Sequence, residues 1–345
     1  MKRAGNHPGL ERAGATPRTC LDQIAATRRA ILRGGLAAAA LPLPTWAQPS
    51  YPSRPVTIVI PFAPGGQTDP VGRFLANHLQ RALGQPFVID NRSGAGGTIG
   101  ASQVIRSAPD GYTLLLSVVG TYATAPFIYG KGSYDPTTAF TPIALVMEGA
   151  MVLVTHPRSG LKSVADVLAT ARTRNLTFAS PGVGTLPHLM GEILSARTGR
   201  RLTHVPYRGG APAMTDLISG QVDLFIDVIP NVLPHVQEGR VMPLLVSGSR
   251  QLPVGTVPNA KDAGFPELDL MAWSGLAGPA GLPEAAVATL NHHVNEAMRT
   301  DEGRALLERL GANPASGRPG DMRERIVTDS SVYRKVIEAN SISAL

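Results

Sequence analysis

The chain has 345 residues, 32 Lys and Arg against 25 Asp and Glu, a formal net charge of +7 and one cysteine, Cys20. The excess charge belongs to the first 47 residues, which hold seven basic and two acidic side chains; without them 25 basic residues face 23 acidic ones, a net of +2. That balance excludes the basic footprint of a nucleic-acid binder or of a protein held on an anionic membrane, and a single cysteine excludes a disulfide framework.

The N-terminal segment reads as an export signal. Thr27-Arg28-Arg29-Ala30-Ile31-Leu32-Arg33 precedes an apolar stretch from Gly34 to Pro44, and Thr45-Trp46-Ala47 places small residues where a cut after Ala47 needs them. About ten apolar residues are too few to cross ~30 Å of hydrocarbon. The arginine pair before Ala-Ile-Leu resembles a twin-arginine signal, and an ordinary secretory leader with two adjacent arginines is the alternative. Cys20 leaves with this segment, so the remaining roughly 300 residues must be held by their cores alone, enough chain for two domains. No later run is apolar enough to span a bilayer. The expected product is a soluble periplasmic protein without a thiol nucleophile.

After the leader, short Val/Ile/Leu runs alternate with helical stretches. Strands are expected at Val56 to Ile60, Phe87 to Asp90, Thr113 to Ser117, Ile143 to Val154, Leu176 to Ala179, Leu202 to Val205, Val222 to Val228, Met242 to Ser247 and Met271 to Leu276. Their near-continuous apolar character suits strands covered on both faces of a parallel sheet. Between them, Val71, Phe74, Leu75, Leu79 and Leu83 recur at helical spacing. Ser163 with Asp166 three residues on resembles a capping box, and Gly84 and Gly199 follow helical stretches where a C-terminal cap is wanted. The fold class is α/β, with mainly parallel strands joined by helices and two lobes about a cleft.

The run IALVMEGAMVLV, Ile143 to Val154, is twice a usual strand length and is interrupted by Glu148-Gly149. Twelve residues at ~3.3 Å each reach roughly 40 Å, long enough to leave one sheet and enter another. It is expected to be the first crossover between lobes, with the second near Leu268 to Gly275. C-terminal helices from Pro283 to Thr300 and from Asp301 to Leu310 would return to the first lobe. The boundaries follow as 1–47 for the leader, 48–150 and 270–345 for lobe 1, and 151–269 for lobe 2.

Five loops share a plan of strand, glycine-rich or small polar turn, then helix: Pro64-Gly65-Gly66-Gln67-Thr68-Asp69, Ser93 to Thr98, Ser117 to Thr124 with Thr121, Ser180 to Thr185 with Gly184, and Tyr207-Arg208-Gly209-Gly210-Ala211-Pro212. Each is expected to leave free N–H groups at a helix start, where an anion is stabilised without a basic side chain. Glycine serves there because a Cβ would hold the ligand off the amides and because some positions need positive φ. Blander roles stand beside these: Asp69 as a helix cap, and Pro212 as a good early helical residue.

Other chemistries can be tested by spacing. From Gly94 the third position of a dinucleotide fingerprint is Ile99, and no G-x-x-x-x-G-K-[ST] occurs, so no nucleotide cofactor is expected. No G-x-S-x-G elbow is present, and Ser249 in SGSRQ lacks its second glycine. His292-His293 has no H-E-x-x-H pattern and reads as a solvated helix face with one ring packed inward, so no metal is expected. His188 divides between ligand contact and helix-start packing. Asp227, at the end of VDLFID, either accepts from loop amides or recognises an amine or hydroxyl. Phe62 and Trp273 could wall a pocket or belong to the core.

Together these residues resemble a known family. Tyr51-Pro52-Ser53-Arg54-Pro55-Val56-Thr57-Ile58-Val59 followed by Pro61-Phe62-Ala63-Pro64-Gly65-Gly66 and Asp69 is similar to the opening of the Bug-type, TctC-like substrate-binding proteins of tripartite tricarboxylate transporters. The likeness continues through Asn91 to Gly97, Pro109 to Leu115, Gly182-Val183-Gly184-Thr185 with His188-Leu189, and Val205 to Gly209 with Gly220 to Asp223. It implies a monomeric receptor whose lobes close around a small carboxylate, seated on amides and water at Pro64 to Asp69 and bounded by the loops at Ser180 and Tyr207. It also implies membrane transporter subunits as partners. The chain departs from the pattern at Asp90, where glutamate is frequent, at Gln67-Thr68, and at the bulky Val118-Val119-Gly120. Two other expectations stay open: a sensor that signals to a membrane protein, and an exported enzyme using His188 and Asp227 as acid and base.

Overall fold

A computed structural model describes residues 51–129, 133–200, 202–248 and 256–343. The export signal, the cut after Ala47, Cys20 and Ser249 therefore lie outside the described residues. In chain order the elements are β1 (Val56–Ile60), α1 (Thr68–Leu83), β2 (Phe87–Asn91), α2 (Thr98–Ile105), β3 (Thr113–Val118), a π-helical turn (Gly120–Thr124), α3 (Ala125–Ile128) and β4 (Phe140–Thr155). Then come α4 (Val164–Ala171), β5 (Thr177–Ser180), α5 (Leu186–Thr198), β6 (Thr203–Pro206), α6 (Gly210–Ser219), β7 (Leu224–Val228), α7 (Ile229–Gln237) and β8 (Met242–Val246). The chain ends with β9 (Met271–Pro279), α8 (Glu284–Arg299), α9 (Asp301–Arg309), β10 (Asn313–Pro314) and α10 (Pro319–Ala339). Every expected strand is present, within a few residues of its expected ends.

The sheet is mixed rather than mainly parallel. Its order is β2-β1-β3-β9-β4-β7-β5-β6, with β10 and β8 also paired to β4. Two parallel trios, β2-β1-β3 and β7-β5-β6, are joined through antiparallel β9 and β4. The mainly parallel lobes expected from the sequence are present as these trios, and the antiparallel pairing involves β4 and β9, the two strands that run between them. β4 is the long element read from IALVMEGAMVLV, and it is longer than expected at 16 residues. Phe140 to Ala150 pair with β9, whereas Met151 to Thr155 pair with β7. The strand runs unbroken through Glu148-Gly149; its register against β9 shifts earlier, at Pro142/Ala144 and Leu145/Met147, and its register against β8 shifts later, at Leu153/Val154.

Continuous apolar strands follow from cover on both faces. Val56, Ile58 and Ile60 of β1 pack with Val71, Leu75 and Leu79 of α1 and Leu290 of α8, while Val59 faces Ala101, Val104 and Tyr122 on the other side. Each such side chain contributes about 1.5–3 kcal/mol of burial. The helix ends behave as read: Gly84 and Gly199 cap in left-handed backbone, φ 71° and 70°, and Ser163 Oγ accepts the Asp166 N–H at 3.1 Å. The Asp166 carboxylate in turn accepts from the N–H of Lys162, one residue before the cap, at 2.9 Å. α10, the longest described helix at 21 residues, was not anticipated, and neither was β10. No helix among the described residues is long and apolar enough to cross a membrane.

Candidate functional site

All five loops singled out in the sequence sit at carboxyl ends of parallel strands. Those at Pro64, Ser93 and Ser117 follow β1, β2 and β3; those at Ser180 and Tyr207 follow β5 and β6, beside the end of β7. The crevice outside such strand ends is where open α/β sheets hold ligands. The loops differ, however, in what their amides are free to do.

In the first loop Asp69 is buried and accepts from three donors: the Gly65 N–H at 3.2 Å, Asn91 Nδ2 at 3.3 Å and Arg73 Nε at 3.0 Å. The Arg73 guanidinium, with the Gly65 and Asn91 bonds, holds its carboxyl below the usual range. Asp69 thus pins the loop from behind, and Asn91 Nδ2 adds a bond to the Phe62 carbonyl at 3.1 Å. Phe62 is half-buried in the core, and Pro64 to Gln67 are exposed. The Gly65 amide, expected to face a ligand, is spent on Asp69, and the Asp69 N–H goes to the Gly66 carbonyl. Among the described residues no hydrogen bond takes up the N–H groups of Gly66, Gln67 and Thr68, three in succession at the start of α1. Gly65 has φ +83° with open space around it, so glycine is needed there for conformation; Gly66 has no such demand, and a Cβ on it would lie 3.6 Å from the Ala63 carbonyl.

The next two loops brace each other. Thr121 is fully buried and donates to the Gly96 carbonyl at 3.1 Å, and a Cβ on Gly97 would collide with it. That contact places Thr121 behind the loop instead of in the crevice. Ser117 is also fully buried, within β3, and its hydroxyl has no partner among the described residues, which marks it as a place for water or ligand.

The Ser180 loop uses part of its own bonding capacity. Ser180 Oγ meets His204 Nε2 at 2.7 Å and accepts the Gly182 N–H; the Gly184 N–H goes to His188 Nδ1 at 3.0 Å, and the Thr185 N–H and hydroxyl go to the Gly182 carbonyl. Among the described residues no hydrogen bond takes up the Val183 and Leu186 N–H groups at this helix start. His188 is 4% exposed, stacks on His204 at 3.8 Å and lies 3.5 Å from Glu192, the geometry of helix-start packing. Burial pushes the His204 imidazole down to about 3, with His188 adding to the shift, so that ring is neutral.

The Tyr207 loop docks onto its neighbour through Tyr207 N–H to Ser180 and Gly209 N–H to Pro181. The Tyr207 hydroxyl donates to Asp216 at 2.6 Å, and burial with that contact moves it up to about 12. Ala211 is exposed at the start of α6, while Gly210 lies so close to Asp227 that a Cβ would collide with its carboxylate. Asp227 is 4% exposed, accepts from the Val228 N–H and Asn231 Nδ2, and burial pushes its carboxyl up to about 6. Asp227 and His188 have no hydrogen-bond partner in common among the described residues.

Contacts join the two sets of strand ends. Thr124 Oγ1 donates to the Gly184 carbonyl at 3.2 Å, and Tyr129 OH to the Val183 carbonyl at 3.1 Å. A cavity of about 40 Å³ lies where they meet, with Gln67, Val118, Glu148, Val228 and Trp273 in its wall. That is about one water's share of liquid. Trp273 is 3% exposed, stacks on Tyr122 and donates to Asp329 at 2.6 Å, so it is a core residue with one edge on the cavity. A far larger groove of about 910 Å³ lies elsewhere, between β4, β9 and α10; Glu148, Asp262, Asp269, Asp321, Glu324 and Asp329 outnumber Lys261 and Arg325 in its lining, which disfavours an anion.

Sequence reasoning missed the Arg73 and Asn91 contacts that fix Asp69. The four-residue step from Asp69 to Arg73 on a helix was a signal for the first; nothing local signals the second, which comes from the neighbouring strand. Tyr129, between Gly96 and Val183, has no sequence signal either.

Comparison with known proteins agrees with this geometry. The structure is similar to the periplasmic binding protein BugD (31% identity, TM-score 0.69, 85% of this chain and 99% of that one). Two proteins from Rhodopseudomonas palustris match equally well: Rpa4515 with adipate (35%, TM-score 0.71, 85% and 99%) and MatC with bound malate (35%, TM-score 0.70, 83% and 100%). The sequence profile of the tripartite tricarboxylate transporter family receptor matches residues 71–342. The chain therefore belongs to that family, the TctC-like receptors that include the Bug proteins.

Proposed function

We propose that this chain is a periplasmic solute receptor that binds a small organic acid between its two sets of strand ends and hands it to a tripartite membrane transporter. The observation that carries this reading is the run of unclaimed N–H groups at Gly66, Gln67 and Thr68. They open a 16-residue helix, where partial positive charge favours an anion, and Arg73 offsets the Asp69 carboxylate behind them. The adipate and malate held by the two R. palustris proteins have the matching chemistry.

A cavity of about 40 Å³ cannot take a carboxylate of several carbons. Entry requires its walls to part, and the reading assigns that motion to residues 48–150 with 270–345 as one lobe and 151–269 as the other. The change of sheet partner between Ala150 and Met151, and the return into β9 at Met271, support placing the hinge there. Ligand would stabilise closure by gaining contacts from both lobes at once.

Calorimetric titration of the folded protein with mono- and dicarboxylates tests the reading. It expects saturable binding of at least one of them, with affinity weakened by Gly66→Val. Failure of every carboxylate with folded protein overturns it.

A further inference from the structure

We infer that His78, His293 and Glu296 form a binding site for a divalent transition metal such as Zn2+, on the outer surface formed by α1 and α8. One ligand-capable atom from each residue lies within 4.8 Å of the other two. His293 Nδ1 is 3.1 Å from Glu296 Oε2, and His78 Nε2 is 4.0 Å from the same oxygen. Donors around a tetrahedral Zn2+, with bonds of about 2.0–2.2 Å, stand roughly 3.4 Å apart, so the His293–Glu296 pair needs little change, while His78 must move in by roughly 0.6 Å toward the Glu296 oxygen and by up to about 1.4 Å toward the His293 donor.

The donor set suits the metal. Two imidazoles and one carboxylate match a borderline cation better than the hard, oxygen-seeking Mg2+ or Ca2+. His78 Nε2 is a buried nitrogen with no hydrogen-bond partner, although it faces the carboxylate, and a buried polar atom left so needs an explanation that a metal would give. Helical spacing supplies the rest, since His293 and Glu296 are three apart and so project from one face of α8. Glu296 is about half exposed, which leaves the site open to solution and a fourth position for water. Arg81 and Glu302, 3.8 Å apart, are the other charges near His78; they offset each other, so the carboxylate of Glu296 sets the local sign.

A metal here would tie the helix that opens at Gly66–Thr68 to the helix after β9. It would not touch the proposed carboxylate seat at the other end of α1, so the two proposals fail separately.

The test is titration of the full, metal-stripped chain with Zn2+ by calorimetry, with thermal unfolding and the ligand-field spectrum of the Co2+ form as further readouts. Saturable uptake of one Zn2+, a raised Tm and a four-coordinate Co2+ spectrum are expected. Glu296→Gln, at an exposed position that tolerates change, should weaken Zn2+ by at least about tenfold, and His78→Asn likewise. Absence of saturable Zn2+ binding overturns the site. So does Zn2+ affinity that is unchanged in both variants, which would locate the metal elsewhere on the chain.

Discussion

Asp69 and Asp227 show how environment divides two carboxylates of one protein. Asp69 accepts from Arg73 and two further donors, so it is ionised and holds its loop in place. Asp69→Ala should leave the Gly65 N–H without its acceptor and the Asn91 amide with the Phe62 carbonyl alone, and lower stability by about 1–3 kcal/mol, measurable by urea unfolding. Among the described residues Asp227 has Val228 and Asn231 for partners, and burial raises it to about 6. Between the ordinary carboxylate value and about 6 the folded protein binds more protons at this site than the unfolded chain, so the site's contribution falls as pH rises through that window. Two units correspond to about 3 kcal/mol at most. Asp227→Asn should remove this loss, so that its stability relative to the parent improves from pH 4 to pH 7 in denaturant titrations; an unchanged difference contradicts the assigned shift. His204 works in the opposite sense, since a ring held neutral with a lowered value costs stability as pH falls below about 6.5.

At the scale of elements, what the sequence made legible depended on whether a signal was local. Strands such as β1 and β7 are apolar runs broken by one polar residue each, Thr57 and Asp227, because helices cover both faces, and a run of that kind is visible in a few residues. The helix-start loops were visible for the same reason, since Gly65 must hold positive φ between a strand and a helix. α10 was not visible. Its buried face runs Met322, Ile326, Asp329, Ser330, Tyr333 and Ile337, and the two polar residues in the middle break the apolar stripe. Asp329 is buried there because Trp273 Nε1 and Arg325 bond to it, partners that only the fold supplies. The same limit applied to the Ser180 loop, where His188 and Ser180 take two of the amides that its sequence left open. At α4 the local signal sufficed, and Ser163→Ala should cost about 1 kcal/mol in unfolding free energy.

For the whole molecule the long β4 is the organising element. It pairs with β9 along its first two thirds and with β7 and β8 along its last third, and so belongs to both halves of one mixed sheet. The sequence predicted the double membership from length alone, and missed the antiparallel centre because strand direction is not encoded in an apolar run. If residues 151–269 move against the rest, ligand should shrink the molecule, and small-angle scattering should show a smaller radius of gyration with a bound carboxylate than without. The central claim is that unclaimed amides at the start of α1 seat the acid. It is tested most directly by calorimetry of Gly66→Val beside the parent, with the carboxylate that binds best. Gly66 has an ordinary φ and room for a Cβ 3.6 Å from the nearest atom, so the variant should fold with a closely similar Tm and lose binding by at least about a hundredfold, some 2.7 kcal/mol. A folded variant that binds the acid as tightly as the parent would contradict the account.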